Sequence, residues 1–499
     1  MGKSKTTNSV SCVRTSVSRR NFVKSAGALG AASLWMPGWL LREAEAQSAT
    51  FDFYIGPDGS DSNPGTESQP WALSALNTKR ATYAGKRVGL LDGTYDMVTI
   101  LGQPVTAFDS NELAVAGGPS PSQPTIIQAV NRHRAIIDGN RPARTSYAEG
   151  GLIGPYYGQG NVTFDGLKIV RAFYRSTTAQ SSPNFTVKNC WYYDQQFTSM
   201  QGVGGKNSAM LFNQNGANFL VSNCRFEIAG SPADSDRSNF IQTYGSLDPI
   251  VEYCTIIGNA AYPGGGRSGS GIHFKESGNR RCTARYNYID LTASTAGNGI
   301  LWHGNGSTDG YETAHNNILI VSNGQDVSPI RVESASNSWR VYNNNFIGSP
   351  GFLTAFGTAH LGNPVRVDFY NNIISRSAMG WRGDLHDFVP LGRIGTMDHN
   401  LYDSSPTLLV VIAGGPEYFG LPNWQATGKD PNSKEAADPL FVGTGVEAER
   451  YRLQAGSPAK TLGAGGAEIG AWAGATQVGC SFERAGPATA PLAPDVTVN

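Results

Sequence analysis

The chain has 499 residues, of which 39% are hydrophobic and 16% are charged, and it contains 61 glycines. This composition is typical of a turn-rich folded protein and excludes a disordered chain. The chain has 39 basic residues, lysine and arginine, and 39 acidic residues, aspartate and glutamate. It therefore lacks the net positive charge that favours binding to nucleic acid or to an anionic membrane. A charged ligand must therefore be bound by a local cluster of residues.

The first 46 residues are predicted to be a twin-arginine signal peptide. Residues 18–24 read Ser-Arg-Arg-Asn-Phe-Val-Lys, an uncharged stretch covers 25–41, and Ala44-Glu45-Ala46 follows. This order is typical of an export signal that is cleaved near Ala46. Glycines and a proline inside the short uncharged stretch argue against a permanent membrane span. We expect the mature chain, 47–499, to be periplasmic or secreted and to bind no membrane.

From the middle of the chain onward, short segments of one type recur. Each alternates Val, Ile, Phe and Tyr with other residues and breaks at a polar pair, and equivalent corners lie 24 to 34 residues apart. A β-type unit at this period predicts an all-β, right-handed parallel β-helix, a solenoid that forms a single domain over 47–499. A β-sandwich with Asn-rich turns is the alternative. The predicted corner residues are Gly166, Cys190, Cys224, Cys254, Asn287, Asn317, Asn345, Asn372 and Asn400.

Asparagine and cysteine suit these corners for different reasons. Asparagine tolerates left-handed backbone geometry, and its amide can bond to the coils above and below. Cysteine is small enough to stack without bonding, so free thiols are favoured over disulfides, which have demanding geometry. The six cysteines include Cys12 in the signal and form no Cys-x-x-Cys pair, which argues against a zinc site.

A second set of strands, one ahead of each corner, carries the polar residues of interest. We aligned Met210, Phe240, Ile272, Ile300, Ile330 and Phe352 as inward positions. Because side chains alternate along a strand, one outward column is then Leu211, Ile241, His273, Leu301, Arg331 and Leu353. The next outward column is Asn213, Thr243, Lys275, His303, Glu333 and Ala355. Lys275, His303 and Glu333 are thus expected on consecutive coils, and Trp302 is expected in the core.

Two groups of motifs lie at the ends of the mature chain. The first is residues 51–66, with Gln69-Pro70-Trp71 and Leu91-Asp92-Gly93-Thr94-Tyr95 after them, and the second is Asp438-Pro439-Leu440-Phe441 with Gly456-Ser457-Pro458-Ala459. Both resemble secreted right-handed β-helix proteins of the polysaccharide lyase type, the pectin lyase-like fold. The resemblance implies an N-terminal cap and irregular C-terminal coils, since the ends of a solenoid need caps.

A uronic-acid polysaccharide is cleaved by β-elimination when a base removes the proton beside the carboxylate and an acid protonates the departing oxygen. We predict Lys275 as the base, with its pKa lowered by nearby positive charge. His303 is predicted as the acid or the charge neutraliser, and Arg331 as the carboxylate ligand. The expected partner is therefore an acidic polysaccharide, and we expect His273, Glu333, Tyr244, Asn213 and Arg237 to contact it. The alternative is that these charged side chains form a solvated ladder with no catalytic role.

A narrower resemblance covers two coils. Residues 272–279, Ile-His-Phe-Lys-Glu-Ser-Gly-Asn, and 300–305, Ile-Leu-Trp-His-Gly-Asn, are similar to the catalytic coils of the alginate lyase and chondroitinase B family. That family places a lysine base on the first coil, which Lys275 matches, and an arginine on the next, where this chain has His303. Its calcium-binding glutamates fall on Ser268 and Ser270, which supply no charge, so the resemblance leaves calcium use open.

Other readings of the same scaffold stay open. Asp234 and Asp236, in the loop before residues 239–244, are candidate metal ligands, or with Glu333 a hydrolase acid pair. A β-helix glycoside hydrolase or an epimerase is one alternative. A noncatalytic carbohydrate-binding surface protein is the other, since a fold does not determine a function.

Overall fold

The structure is a computed structural model, and its described residues lie within one compact unit, Ala49–Asn499. They are 50–102, 111–140, 150–172, 175–195, 208–228, 238–258, 270–275, 278–292, 297–303, 310–321, 328–333, 338–348, 356–358, 366–375, 381–383, 394–403, 410–411 and 416–482.

The described strands form three sheets of twelve strands each, in which every neighbour but one is parallel. Sheet A contains β1 (Phe53–Ile55), β2 (Arg87–Leu90), β5 (Thr125–Ala129), β8 (Val162–Asp165), β11 (Phe185–Lys188), β14 (Leu220–Ser222), β17 (Ile250–Glu252), β20 (Thr283–Arg285), β23 (Tyr311–His315), β26 (Ser338–Tyr342), β29 (Arg366–Tyr370) and β32 (Ile394–Asp398). Sheet B contains β3 (Gly93–Asp96), β6 (Ala135–Asp138), β9 (Lys168–Val170), β12 (Trp191–Tyr193), β15 (Arg225–Ile228), β18 (Thr255–Gly258), β21 (Tyr288–Leu291), β24 (Ile318–Val321), β27 (Asn345–Gly348), β30 (Ile373–Ser375), β33 (Leu401–Tyr402) and β36 (Lys434–Glu435). Sheet C contains β4 (Leu113–Val115), β7 (Ile153–Pro155), β10 (Arg175–Gln180), β13 (Ser208–Gln214), β16 (Ser238–Tyr244), β19 (Ile272–Lys275), β22 (Ile300–His303), β25 (Ile330–Glu333), β28 (Phe356–Thr358), β31 (Trp381–Gly383), β34 (Val410–Val411) and β35 (Glu417–Tyr418).

Through the body of the fold each coil adds one strand to sheet C, one to sheet A and one to sheet B, so that neighbours within a sheet are three strands apart in the chain. This topology confirms the predicted parallel β-helix and excludes the β-sandwich. Parallel crossover connections coil in the right-handed sense. The coil is filled by inward side chains that stack on one another, as Phe164, Phe185 and Phe219 do at ring distances of 5.2 and 5.8 Å.

Helices are short and lie near the two ends of the described chain. The α-helices are α1 (Ala75–Thr78), α2 (Arg80–Tyr83), α3 (Met97–Leu101) and α4 (Leu421–Gln425), and the 3₁₀ turns are Glu447–Tyr451, Pro458–Lys460 and Ala464–Gly466. None of the described helices has the length and apolar character that a membrane span requires.

The corner between sheets A and B carries a ladder of buried asparagines. The backbone N–H and the Nδ2 of Asn287 both donate to Oδ1 of Asn317, at 3.1 and 2.9 Å. Asn317 donates in the same way to Asn344, and the pattern continues through Asn372 to Asn400. Each amide therefore bonds to the next coil, and the predicted role of asparagine is confirmed.

Two predicted corner residues are wrong by one position. Asn344 lies in the ladder, whereas Asn345 begins the next strand. Gly166 is equivalent to Asn189 of the following coil, and both have positive φ, 69° and 55°. This position lies one residue before the ladder. The corner thus needs two adjacent residues, one that accepts left-handed backbone and one whose side chain bonds to the next coil. Asparagine suits both positions, so a run of three asparagines leaves the assignment ambiguous.

Cysteines continue the ladder on the earlier coils. The backbone N–H of Cys190 donates to the sulfur of Cys224 at 3.4 Å, and the backbone N–H of Cys254 donates to Oδ1 of Asn287 at 2.9 Å. All five cysteines among the described residues are free thiols. The predicted thiol stack is confirmed, and Cys12 lies outside the described residues.

Replacing Asn317 with alanine is expected to destabilise the coil. The substitution leaves the buried N–H of Asn287 and the carbonyl of Ala284 without their partners. Each buried polar group that loses its partner costs about 1–3 kcal/mol, so the free energy of unfolding should fall by roughly 2–4 kcal/mol in denaturant titration. The control is Asn423→Ala, whose exposed amide donates to Phe419 and whose loss should cost under about 0.5 kcal/mol. Equal losses in the two variants would contradict the ladder's role.

Acid should destabilise the fold through a buried histidine. Burial lowers the pKa of His133 from 6.5 to about 4, although the hydrogen bond between its Nε2 and the carbonyl of Asn189 raises this pKa. Because the unfolded chain then binds the proton more readily, the stabilisation is present above pH 6.5 and is lost as pH falls toward 4. Thermal unfolding across this range should show a smaller decline for His133→Phe than for the parent. Parallel declines would show that His133 does not couple to acid unfolding.

Candidate functional site

The predicted cluster lies at the carboxyl ends of three neighbouring strands in sheet C. Lys275, His303 and Glu333 are direct partners in the registers of β19, β22 and β25. Phe274 and Trp302 lie in the core, so Lys275 and His303, the next residues along their strands, point outward. Adjacent strands are about 4.8 Å apart, and the predicted stack on consecutive coils is therefore confirmed. For Glu333 the structure describes the backbone position.

The predicted alignment of the preceding coils is wrong by one residue. Leu211 and Ile241, rather than Met210 and Phe240, are the partners of Ile272. Consecutive apolar residues caused the error, because Met210-Leu211 and Phe240-Ile241 satisfy the alternation in either phase. At the other end Phe356 pairs with Ile330, and the predicted partner Phe352 lies outside the described residues.

The corrected register exchanges two candidate residues. Asn213 is fully buried, and its Oδ1 accepts a hydrogen bond from the hydroxyl of Ser246 at 2.6 Å. The prediction that Asn213 faces outward toward a substrate is therefore wrong. Tyr244 takes the outward position instead, as the direct partner of Lys275. Trp302 is 3% exposed, which confirms its predicted place in the core.

His273 is the most unusual side chain of the cluster. It is 6% exposed, and neither ring nitrogen has a hydrogen-bond partner among the residues that the structure describes. Its ring stacks on that of His303 on the next coil, at a centroid distance of 6.1 Å. Burial lowers the pKa of His273, and the charges of Lys275 and His303 lower it further. The imidazole is therefore neutral near pH 7 and offers one donor and one acceptor.

Gln242 is a site residue that the sequence argument missed, because the displaced register turned it inward. It is the register partner of His273 on the preceding coil. Its Oε1 accepts a hydrogen bond of 2.7 Å from Nδ2 of Asn239, and its buried Nε2 has no partner within the described part of the chain. Burying a polar group without a partner is costly. The apolar column of Leu211, Ile241 and Ile272 was the available signal that Gln242 points outward.

Arg331 completes the cluster on the third coil. It is 6% exposed and lies in the same column as His273, separated from it by Leu301. The cluster, which we call the histidine site, therefore has a cationic edge and a neutral polar edge. Its described members are Gln242, Tyr244, His273, Lys275, His303 and Arg331.

Several predicted residues cannot be placed in this cluster. Asp234, Asp236 and Arg237 lie outside the described residues, as does Ser268. Ser270 is buried, and its N–H donates to Asn239 at 2.8 Å. Within the described part of the chain, no three His, Cys, Asp or Glu side chains are grouped closely enough to hold a metal ion.

The unpartnered nitrogens of His273 predict a gain in stability when the ring is replaced. His273→Leu removes two buried groups that lack partners, so the free energy of unfolding should stay equal or rise by about 1 kcal/mol. His315→Leu is the matched control, because Nδ1 of that buried histidine bonds to Oδ1 of Asn316 at 2.8 Å. It should lose about 1–2 kcal/mol. A large loss of stability in His273→Leu would show that the ring has a structural role.

Neither the scan of protein-family models nor the search of curated proteins finds a match to this chain. Among solved structures the chain is similar to pectate lyase Pel9A, with a TM-score of 0.44 and 15% identity over 88% of this chain and 98% of that one. It is similar to the A-module of mannuronan C-5 epimerase AlgE4 from Azotobacter vinelandii, with a TM-score of 0.39 and 10% identity over 77% and 100%. It is also similar to the PL6 family polysaccharide lyase Pedsa3628 from Pseudopedobacter saltans, with a TM-score of 0.35 and 11% identity over 83% and 98%. By its own sheet topology the chain is a parallel β-helix protein.

Proposed function

We propose that this protein is a carbohydrate-active enzyme that cleaves a uronic-acid polysaccharide by β-elimination at the histidine site. The observation that carries the proposal is a set of buried nitrogens that lack partners among the described residues, those of the His273 ring and Nε2 of Gln242, beside the cationic Lys275 and Arg331. A sugar supplies hydroxyl groups that can satisfy such a donor and acceptor. A uronate also supplies a carboxylate that an arginine can bind through two parallel hydrogen bonds.

The reaction needs a base, an acid and a group that stabilises charge. Lys275 removes the proton on the carbon beside the uronate carboxylate, and a double bond forms as the glycosidic carbon–oxygen bond breaks. His303 or Tyr244, the register neighbours of Lys275 on either side, gives a proton to the departing oxygen. Arg331 holds the carboxylate, whose negative charge grows as the proton leaves.

His273 serves binding in this scheme. Because burial and the neighbouring positive charges lower its pKa, it stays uncharged through the working range and does not protonate the leaving group. A neutral imidazole beside the Gln242 amide instead fixes the sugar by hydrogen bonds. This arrangement positions the reacting carbon over Lys275, which is where orientation contributes to rate.

The predicted signal peptide over residues 1–46 belongs to the same proposal. Export to the periplasm or the medium would bring the enzyme to polysaccharides outside the cytoplasm. The proposal therefore includes secretion by the twin-arginine route.

Lys275→Ala should abolish formation of an unsaturated product. Alginate, pectate, glycosaminoglycans and neutral glycans are screened for ultraviolet-absorbing products, and the parent should react with at least one uronate polymer. Removing a general base lowers rates by about 10²–10⁴-fold. Lys434→Ala is the matched control, since that exposed lysine lies on β36 of another sheet, and its activity should equal the parent's.

Three outcomes would contradict the lyase. New reducing ends without ultraviolet absorbance would identify a hydrolase, and a changed uronate stereochemistry without cleavage would identify an epimerase. Binding of a polymer that Lys275→Ala leaves unchanged, with no product from the parent, would identify a noncatalytic binding protein.

A further inference from the structure

A groove lies four coils before the histidine site in sheet C. It has a volume of about 600 Å³, between α2 and the turn that follows β7. This volume is in the range of small-molecule sites. Small residues give the groove its depth. Its lining comprises Arg80, Ala81, Ala84, Ala116, Gly117, Gly118, Pro119, Tyr156, Gln159 and Gly160.

One exposed tyrosine, Tyr156, lines this groove, and a second, Tyr157, follows it in the chain. Tyr156 is 43% exposed and Tyr157 is 58% exposed, and both lie in the turn after β7. The turn is held by backbone hydrogen bonds, from Tyr156 to Val115 at 2.7 Å and from Gln159 to Tyr156 at 2.9 Å. Aromatic rings on a rigid turn give a flat, amphipathic contact surface at small entropic cost. Such a surface suits the apolar face of a sugar ring.

Arg80 is the one charged side chain in the groove's lining. Its guanidinium lies 4.4 Å from the ring centroid of Tyr156. Among the described residues, no carboxylate pairs with it. The groove therefore combines a ring with a planar cation that can bind a carboxylate, which is the combination that an acidic sugar fits.

A column of side chains links the groove to the histidine site. Gln180, Gln214, Tyr244, Lys275 and His303 are successive register partners at the carboxyl ends of β10, β13, β16, β19 and β22. All five are partly exposed. The turn with Tyr156 joins this column one coil earlier, where the N–H of Gly158 donates to the carbonyl of Gln180 at 3.1 Å. Four strand spacings, about 19 Å, thus separate the turn from Lys275.

We infer that this column is a binding track for a single acidic polysaccharide strand, which runs along the direction of coil stacking and whose far end lies in the Tyr156 groove. The amides and the phenol of the column offer donors and acceptors to sugar hydroxyls, and carboxylates meet cations at both ends, at Arg80 and at Lys275. The inference rests on the proposed function for the identity of the reacting end. Binding in the groove itself needs no catalysis.

The track determines which substrates the enzyme prefers. A strand long enough to reach from Lys275 to Tyr156 gains the contacts of the groove, whereas a disaccharide or trisaccharide at Lys275 does not reach them. Contacts remote from the reacting bond that are equal in the ground state and the transition state change KM and leave kcat unchanged. The groove therefore selects long uronate chains.

The test measures binding before catalysis. Affinity electrophoresis in gels containing alginate or polygalacturonate compares the parent with Tyr156→Ala and Arg80→Gln. The control is Phe419→Ala, which alters another half-exposed aromatic residue. Each groove variant should lose roughly tenfold in affinity, as expected for one charge-assisted or stacking contact. Phe419→Ala should match the parent, and a neutral dextran gel should retard none of the proteins.

Kinetics then separate the track from the proposed reaction. If ultraviolet-absorbing product forms, Tyr156→Ala should raise KM roughly tenfold for polymer and leave kcat and the rate on trisaccharides unchanged. Loss of affinity in the groove variants with no product from the parent would support the track and refute the lyase. Equal affinities of Tyr156→Ala, Arg80→Gln and Phe419→Ala would overturn the track. So would a gel containing single-stranded DNA that retards the parent as much as the uronate gels do.

Discussion

Parallel pairing between strands one coil apart is the constraint on which this structure depends. It places residues about 30 positions apart in the chain at about 4.8 Å in space, and it repeats this relation along three sheets. The asparagine ladder fixes the phase of that repeat, because each amide bonds to the equivalent corner of the next coil. The register of β19 and β22 alone brings Lys275 and His303 together, so no loop is needed to place them side by side.

Much of this arrangement could be predicted from the sequence, and the errors have a single physical origin. Strand alternation has a period of two, so one polar residue between apolar neighbours fixes the phase. Apolar and polar residues alternate clearly from Ile272 to Lys275, and the stacking of Lys275 with His303 was predicted correctly. Met210-Leu211 and Phe240-Ile241 do not alternate, and there the phase was wrong, which exchanged Asn213 for Tyr244.

Other features of the site lie beyond what a sequence pattern reports. Whether Nε2 of Gln242 and the ring nitrogens of His273 find partners among the described residues depends on the three-dimensional surroundings of each atom. The groove at Tyr156 forms between a short helix and a turn that are far apart in the chain. The pattern identified which residue types share a face, and the structure added which of them are buried without partners.

Stability and binding are opposed at this site. The ladder satisfies its buried amides, as the Asn317 side chain does with four hydrogen bonds. On the outward face of sheet C, the His273 ring nitrogens and Nε2 of Gln242 are buried without partners among the described residues, which costs folding energy. A ligand that supplies the missing partners recovers that energy on binding, and the cationic neighbours Lys275 and Arg331 favour an anionic one. The measurement that tests this most directly is a crystal structure of Lys275→Ala with a uronate oligosaccharide. The account predicts sugar oxygens within hydrogen-bond distance of both His273 nitrogens and of Gln242 Nε2. An oligosaccharide bound elsewhere, with those three nitrogens still unpartnered, would contradict it.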